Sequence, residues 1–226
     1  MSGRAFIVIV AVGVLMGGCR KKNDPNARGG QVALGDSTQF ESAEDPPISA
    51  DTHFAAGQLA ESQDQLPRAV DQYQAALKVD PKFQPAMFRL GTVQTQAKMF
   101  PEAIATWQKY IKATGGSAAA YNNLGFTYEL ARQPKEAETA YKQAIAKDPK
   151  YQQVRMNYGL MLARQARKPE AMQQLSTVLK PAEVHYNLGS VYEQQGKTEQ
   201  AKAEYQQALL LDANLHDARA RLTGLK

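Results

Sequence analysis

The chain has 226 residues, 43% hydrophobic and 22% charged, enough apolar content for a sizeable core or a short repeat array and too much for wholesale disorder. Its formal charge of +5 is front-loaded: Arg4, Arg20, Lys21 and Lys22 meet no acid in the first 22 residues, leaving +1 for the rest, so the repeats are expected to be nearly neutral. With the remaining charges interleaved in sign, a phosphate-binding face is disfavoured and no nucleic-acid partner is expected.

From Ala5 to Gly18 the residues are uninterruptedly apolar or small. As a helix this stretch would span roughly 21 Å, short of a hydrocarbon core of about 30 Å. A charged start, a short apolar run and small residues at its end predict a secretory signal peptide over residues 1–18. The run closes Leu15-Met16-Gly17-Gly18-Cys19, which resembles the lipobox of bacterial lipoproteins, with Met16 standing where that family most often has leucine. The resemblance implies cleavage before Cys19, a diacylglycerol on its thiol and acylation of the new amino terminus. Arg20 in place of aspartate after the cysteine is similar to the pattern sorted to the outer membrane, which implies a periplasm-facing, lipid-anchored location in the cell envelope. The competing reading of the same residues is an uncut signal anchor with Cys19 incidental. As the only cysteine, Cys19 also excludes an intramolecular disulfide and a thiolate zinc cluster.

Residues 19–49 are rich in Gly, Asp, Asn, Pro and Ser, with Val32, Leu34, Phe40 and Ile48 scattered and without helical or strand period. They read as a flexible linker between anchor and domain.

Beyond the linker a glycine recurs at Gly57, Gly91, Gly125 and Gly159, each 34 residues after the last, and at Gly189 after 30. Counting the glycine as the eighth position of a unit, Ala69, Ala103, Ala137 and Ala201 fall at the twentieth. Tyr73, Trp107, Tyr141 and Tyr205 fall at the twenty-fourth. Pro67, Pro101, Pro134 and Pro169 sit where a second helix would begin, and Pro81 and Pro149 where it would end. Units of this length and pattern, most complete in Tyr121, Leu124, Gly125, Tyr128, Ala137, Tyr141, Ala144 and Pro149, resemble the tetratricopeptide repeat. The resemblance implies an all-α fold: an α-α superhelix, right-handed, of five tetratricopeptide repeats plus a C-terminal capping helix. The domain covers residues 50–226, with repeats at about 50–83, 84–117, 118–151, 152–181 and 182–215 and a cap at 216–226. The second unit ends in Gly115-Gly116-Ser117 where an Asp-Pro exit is expected. The fourth is about four residues short, so its second helix or following turn should be clipped and its stacking on the fifth disturbed.

In the repeat family the first helices line a concave groove. Carried over position by position, the fifth is Phe54, Phe88, Asn122, Met156 and Tyr186, and the ninth Gln58, Thr92, Phe126, Leu160 and Ser190. The apolar members form a stripe that implies a protein partner, a peptide or helix in the groove. Asn123, Asn157 and Asn187 at the sixth position are placed to hydrogen-bond such a ligand's backbone. They are also the family's usual choice there.

The chain is read as a non-enzyme with no cofactor and no small-molecule substrate: it has no Ser-His-Asp order, phosphate loop or HExxH pattern. His53, His185 and His216 lie far apart without metal spacing, and Glu61, Glu129 and Glu193, which share the twelfth position, are too widely separated for paired acid-base work. The layout points to an adaptor for an envelope assembly. It is similar to the type IV pilus pilotins, lipoproteins that help a secretin ring assemble, although those commonly carry six repeats. A homo-oligomeric structural element and an adaptor for proteases or cell-wall hydrolases are the alternatives, with oligomeric state open.

Overall fold

The computed structural model describes residues 48–225, so the predicted signal peptide, Cys19 and nearly all of the predicted linker lie outside the described residues. Helices start and stop where the sequence dictates. Ser49 caps α1 (Ala50–Ser62) by accepting from the Thr52 amide, and Ser117 caps α5 (Ala118–Leu130) by accepting from Ala120. Prolines occupy the first turn of α2 (Leu66–Val79), α3 (Gln84–Gln96), α4 (Phe100–Thr114), α6 (Pro134–Lys147), α8 (Lys168–Leu175) and α9 (Pro181–Gln194), where a missing N–H costs nothing. With α7 (Gln152–Arg164), α10 (Thr198–Leu211) and α11 (His216–Gly224) the described residues hold eleven helices and no strand, five hairpins followed by a cap.

The turn inside each hairpin is one device used five times. Asp64, Lys98, Arg132, Ala166 and Gly196 each adopt a positive φ of 57–72°. The next amide returns to the carbonyl five residues earlier: Gln65 to Ala60, Met99 to Gln94, Gln133 to Tyr128, Arg167 to Leu162 and Lys197 to Tyr192, at 2.9–3.0 Å. This is the left-handed helix exit that satisfies otherwise orphaned carbonyls. Only the fifth hairpin fills it with glycine; the others place an L-residue in the strained region, at roughly 1–2 kcal/mol each. The exits from α2, α6 and α10 share a second device, with Asp80, Asp148 and Asp212 accepting from the amide two residues on, at 2.9 Å.

Inside each hairpin the eighth-position glycine lies under the twenty-fourth side chain. A Cβ on Gly57, Gly91, Gly125, Gly159 or Gly189 would come within 2.5–2.8 Å of Tyr73, Trp107, Tyr141, Leu175 or Tyr205 respectively. Ala69, Ala103, Ala137, Ala171 and Ala201 are all fully buried, as close helix approach requires.

The short fourth unit is clipped in its second helix: α8 has 8 residues where α2, α6 and α10 have 14, and turns through Ser176–Leu179 replace the rest. The apolar core nonetheless runs unbroken from Ala137 to Ala218, because α9 stacks on α7, and Leu179 packs against the same cluster. The expected disturbance is confined to the second-helix layer: α2 and α4 run along the following first helix and α6 touches it over a shorter stretch, whereas α8 has no comparable contact with α9.

Candidate partner groove

The fifth-position rings do not stand free. Phe54 packs on Tyr73 (centroids 5.7 Å apart) and edge-on to Phe83 (5.4 Å), Phe88 meets Trp107 (5.0 Å) and Tyr110 (5.4 Å), and Tyr186 tilts over Tyr205 (5.8 Å). The hairpin core thus uses these rings on one side and leaves the other side half-exposed. Met156 and Leu160 pack against the core between α7 and α9 and are likewise half-buried. Phe126 is the most open member of the stripe, at 36% exposure, with Leu130 one turn further on at 40%.

Asn122 is buried, 3% exposed, so it cannot present an open face. Its side-chain carbonyl accepts from Asn157 Nδ2 at 3.0 Å, and Asn157 in turn accepts from Gln153 at 3.0 Å. Asn187 donates to the Glu183 carbonyl of its own helix at 2.8 Å. The amides of Asn157 and Asn187, expected to await a ligand backbone, are therefore engaged within the array.

Between the first two hairpins Phe54, Gln84, Pro85, Phe88, Arg89 and Tyr110 line an open hollow of about 340 Å³. Sequence reasoning found the two phenylalanines and missed the rest. Gln84 and Pro85 open α3, while Tyr110 reaches in from α4 three residues after Trp107, a spacing that puts both on one helix face. Arg89 is anchored by Glu61 at 3.0 Å.

The twelfth-position glutamates are not simply solvated. Glu61, Glu129 and Glu193 accept from the phenols of Tyr73 (2.8 Å), Tyr141 (3.1 Å) and Tyr205 (2.6 Å) in the same hairpin. Each also pairs with an arginine of the next first helix or cap: Arg89, Arg164 and Arg221. Burial pushes the Tyr73 phenol up to about 12, with the Glu61 charge adding to the shift, and raises Tyr141 and Tyr205 for the same reasons. They therefore stay protonated and donate. Burial also lifts the Glu129 carboxyl above its ordinary range, against the opposing pull of Arg164.

The even hairpins use a neutral substitute or none. Thr95 shares a hydrogen with Thr127 at 2.8 Å, and Ala163 occupies the twelfth position of the fourth. A further carboxylate, Glu138, accepts from Tyr158 and pairs with Arg167 and Lys142, and Arg167 above all holds it down at about 2.

This pairing also bears on the charge. The +1 of residues 23–226 conceals five acids against Arg28 over 23–49, and 22 cations against 17 acids over 50–226, so the repeats are basic and not nearly neutral. Seven of those cations, Arg89, Lys142, Arg164, Arg167, Lys168, Lys202 and Arg221, are held by glutamates on the array itself. Among the described residues no group of three or more His, Cys, Asp or Glu is placed to hold a metal ion, and no helix is long and apolar enough to cross a membrane.

Models of the tetratricopeptide repeat match residues 54–125, 118–151 and 182–215, together more than half of the chain. The chain belongs to the tetratricopeptide repeat proteins. It is 32% identical over 135 residues to the type IV pilus assembly protein PilF of Pseudomonas aeruginosa, covering 57% of this chain and 54% of that protein. It is 27% identical over 169 residues to the general transcriptional corepressor ssn6 of Schizosaccharomyces pombe, covering 74% of this chain and 13% of the corepressor. The chain thus spans little more than half of one of these relatives and a small part of the other. Among solved structures it is similar to YrrB, described as a repeat protein with an unusual peptide-binding site, with a TM-score of 0.56, 24% identity, and coverage of 76% of this chain and 91% of YrrB. That likeness establishes the fold.

Proposed function

We propose that this protein is a protein–protein interaction adaptor of the bacterial cell envelope, held by lipid on Cys19, that seats a peptide or helix of an envelope assembly in the groove of its first helices. The observation that carries the binding reading is the row of half-exposed apolar side chains, Phe54, Phe88, Phe126, Met156, Leu160 and Tyr186, none of which the fold needs to leave open. The lipobox-like Leu15 to Cys19 supports the anchor, and multiple acyl chains make attachment durable at roughly 0.8 kcal/mol per buried methylene.

Phe126→Glu is the sharpest test of the groove. Phe126 makes no aromatic contact, whereas Phe88 and Tyr186 brace Trp107 and Tyr205, so charging those two would damage the hairpins. Phe126→Glu should leave helical content unchanged and remove cross-linked partners captured from envelope membranes by the unaltered protein. An unchanged partner set would reject the groove. For the anchor, palmitate labelling and fractionation should lose both label and membrane attachment in Cys19→Ala; retained attachment without label would reject lipidation.

A second reading, a part in type IV pilus or secretin assembly, is favoured by the similarity to PilF. It predicts that deletion of this protein abolishes twitching motility and secretin multimers, and intact multimers would dismiss it.

A further inference from the structure

At the twenty-third position the second helices carry Gln72 in the first hairpin, Gln174 in the fourth and Glu204 in the fifth. Each bonds the fourth-position side chain of its own first helix: Gln72 to His53 Nδ1 at 2.9 Å, Gln174 to Arg155 at 2.7 Å and Glu204 to His185 Nδ1 at 2.7 Å. An amide is enough for that bond in two hairpins out of the three. The fifth uses a carboxylate that is only 6% exposed, and its second oxygen takes Lys168 Nζ from α8 of the preceding hairpin.

This bridge falls at the one junction the rest of the architecture leaves weak. There α8 has lost its final turns and its run along the next first helix. The glutamate-tyrosine-arginine clamp that joins the first hairpin to the second, and the third to the fourth, is also missing, because Ala163 and Leu175 replace the glutamate and the tyrosine. Besides the α7–α9 core, the side-chain bonds found across it are Lys168 to Glu204 and Gln195 to the Arg164 carbonyl at 2.8 Å.

We propose that the fourth hairpin is a hinge latched by the Lys168–Glu204 pair, so that this ion pair sets the width of the groove between Met156 and Leu160 on α7 and Tyr186 on α9. Closed, the latch holds the second-helix layer of the two hairpins together where helix packing does not. Open, α9–α11 swing about the α7–α9 contact, and the array changes its grip without unfolding, a hinge of the kind in which a few element-terminal residues absorb the motion. A buried carboxylate that loses its cation is costly, so the latch rests closed and opens only against that cost. The hinge stands independently of any partner; only its consequence for grip rests on the groove reading above.

The test uses residues 47–226, which form a compact unit holding the whole described core and no cysteine, so labels can be placed at will. Pulsed electron resonance would read the distance between spin labels at exposed Gln143 on α6 and Gln207 on α10, a span that crosses this junction and the one before it, and at exposed Gln74 and Lys109, across the first. Glu204→Gln keeps the His185 bond, as Gln72 does for His53, and removes the charge; Lys168→Met removes the cation and keeps the stem. Both should roughly double the width of the Gln143–Gln207 distribution and leave Gln74–Lys109 unchanged. An unchanged Gln143–Gln207 distribution in both variants overturns the hinge. So does broadening of both label pairs, which would mean a loosened array.

Discussion

Replacing Gly91 by alanine tests whether the repeating glycine is there for space or merely tolerated. In an isolated helix the change would stabilise by up to about 1 kcal/mol, because glycine is a poor helix former. In this hairpin the new Cβ would lie 2.7 Å from Trp107 Cε2 and 2.9 Å from Cδ2, where ordinary contact begins at 3.4 Å. The indole has nowhere to go: it is 1% exposed, and Phe88 and Tyr110 stand edge-on to it at 5.0 and 6.2 Å. Either α3 and α4 part by several tenths of an ångström or the ring leaves its rotamer, and overpacking of this sort costs about 1–3 kcal/mol. Set against the helix gain, the net loss should be about 1–2 kcal/mol, or a fall of roughly 2–8 °C in melting temperature for an array of this size. Thermal unfolding of residues 47–226 followed by circular dichroism would measure it. The matched control is Gly224→Ala at the end of α11, where a Cβ meets nothing within 4 Å and no loss is expected. A higher melting temperature for Gly91→Ala would refute the reasoning, since only relief of glycine's helix penalty could produce it.

Three further outcomes are expected. Tyr205→Phe keeps the ring over Gly189 but removes the 2.6 Å bond to Glu193, and should cost about 1.5–3 kcal/mol in urea unfolding, the range for a bond to a charged partner. Thr127→Val strips the buried hydroxyl that Thr95 shares and should cost about 1 kcal/mol, whereas Thr139→Val, whose hydroxyl is exposed and bonds only its own helix, should be neutral. Glu138 has its folded value depressed to about 2 by Arg167, so the stability it contributes is fully present above its ordinary value of 4.5 and drains away as pH falls from there through about 2; Glu138→Gln should flatten that limb of a stability–pH curve.

The hairpins were legible because their determinants are single residue types at fixed spacing: a glycine under a ring, an alanine at a helix crossing, a proline in a first turn. The left-handed turns at Asp64, Lys98, Arg132 and Ala166 were not, since nothing in those four side chains marks a positive φ. Their conformation is imposed by the two helices that meet there. The groove residues were found by position, yet their role depends on contacts 19 residues apart, such as Phe54 with Tyr73 or Tyr186 with Tyr205, and spacing along one helix cannot show which side of a ring is already taken. The clamp was half visible. A glutamate at the twelfth position with a tyrosine twelve residues later is a readable pair, but its arginine comes 28 residues on in Arg89 and Arg221 and 35 in Arg164, so no single period betrays it. The charge misled because a single count over everything after Lys22 merged an acidic segment with a basic one.

An array in which each unit touches only its neighbours is as stiff as its junctions, and here the junctions differ in kind. Glutamate, tyrosine and arginine close the first on the second and the third on the fourth, and Glu193 with Arg221 closes the fifth on its cap, while a shared threonine hydrogen closes the second on the third. Each clamp joins a first helix to the next first helix, and so stiffens the layer that carries the exposed apolar stripe. The fourth junction alone trades this for a bridge between second helices, Lys168 to Glu204. First helices clamped to one another cannot open a groove between them; first helices joined by an apolar contact that includes Met161, Leu162, Val184 and Leu188, and by the single bond from Gln195 to the Arg164 carbonyl, can pivot if the second-helix layer lets go. Ala163 and Leu175 remove the clamp, and the four-residue deletion after Leu175 removes the helix packing that could have taken its place. The carboxylate at position 204, where two other hairpins manage with an amide, is what that removal makes necessary.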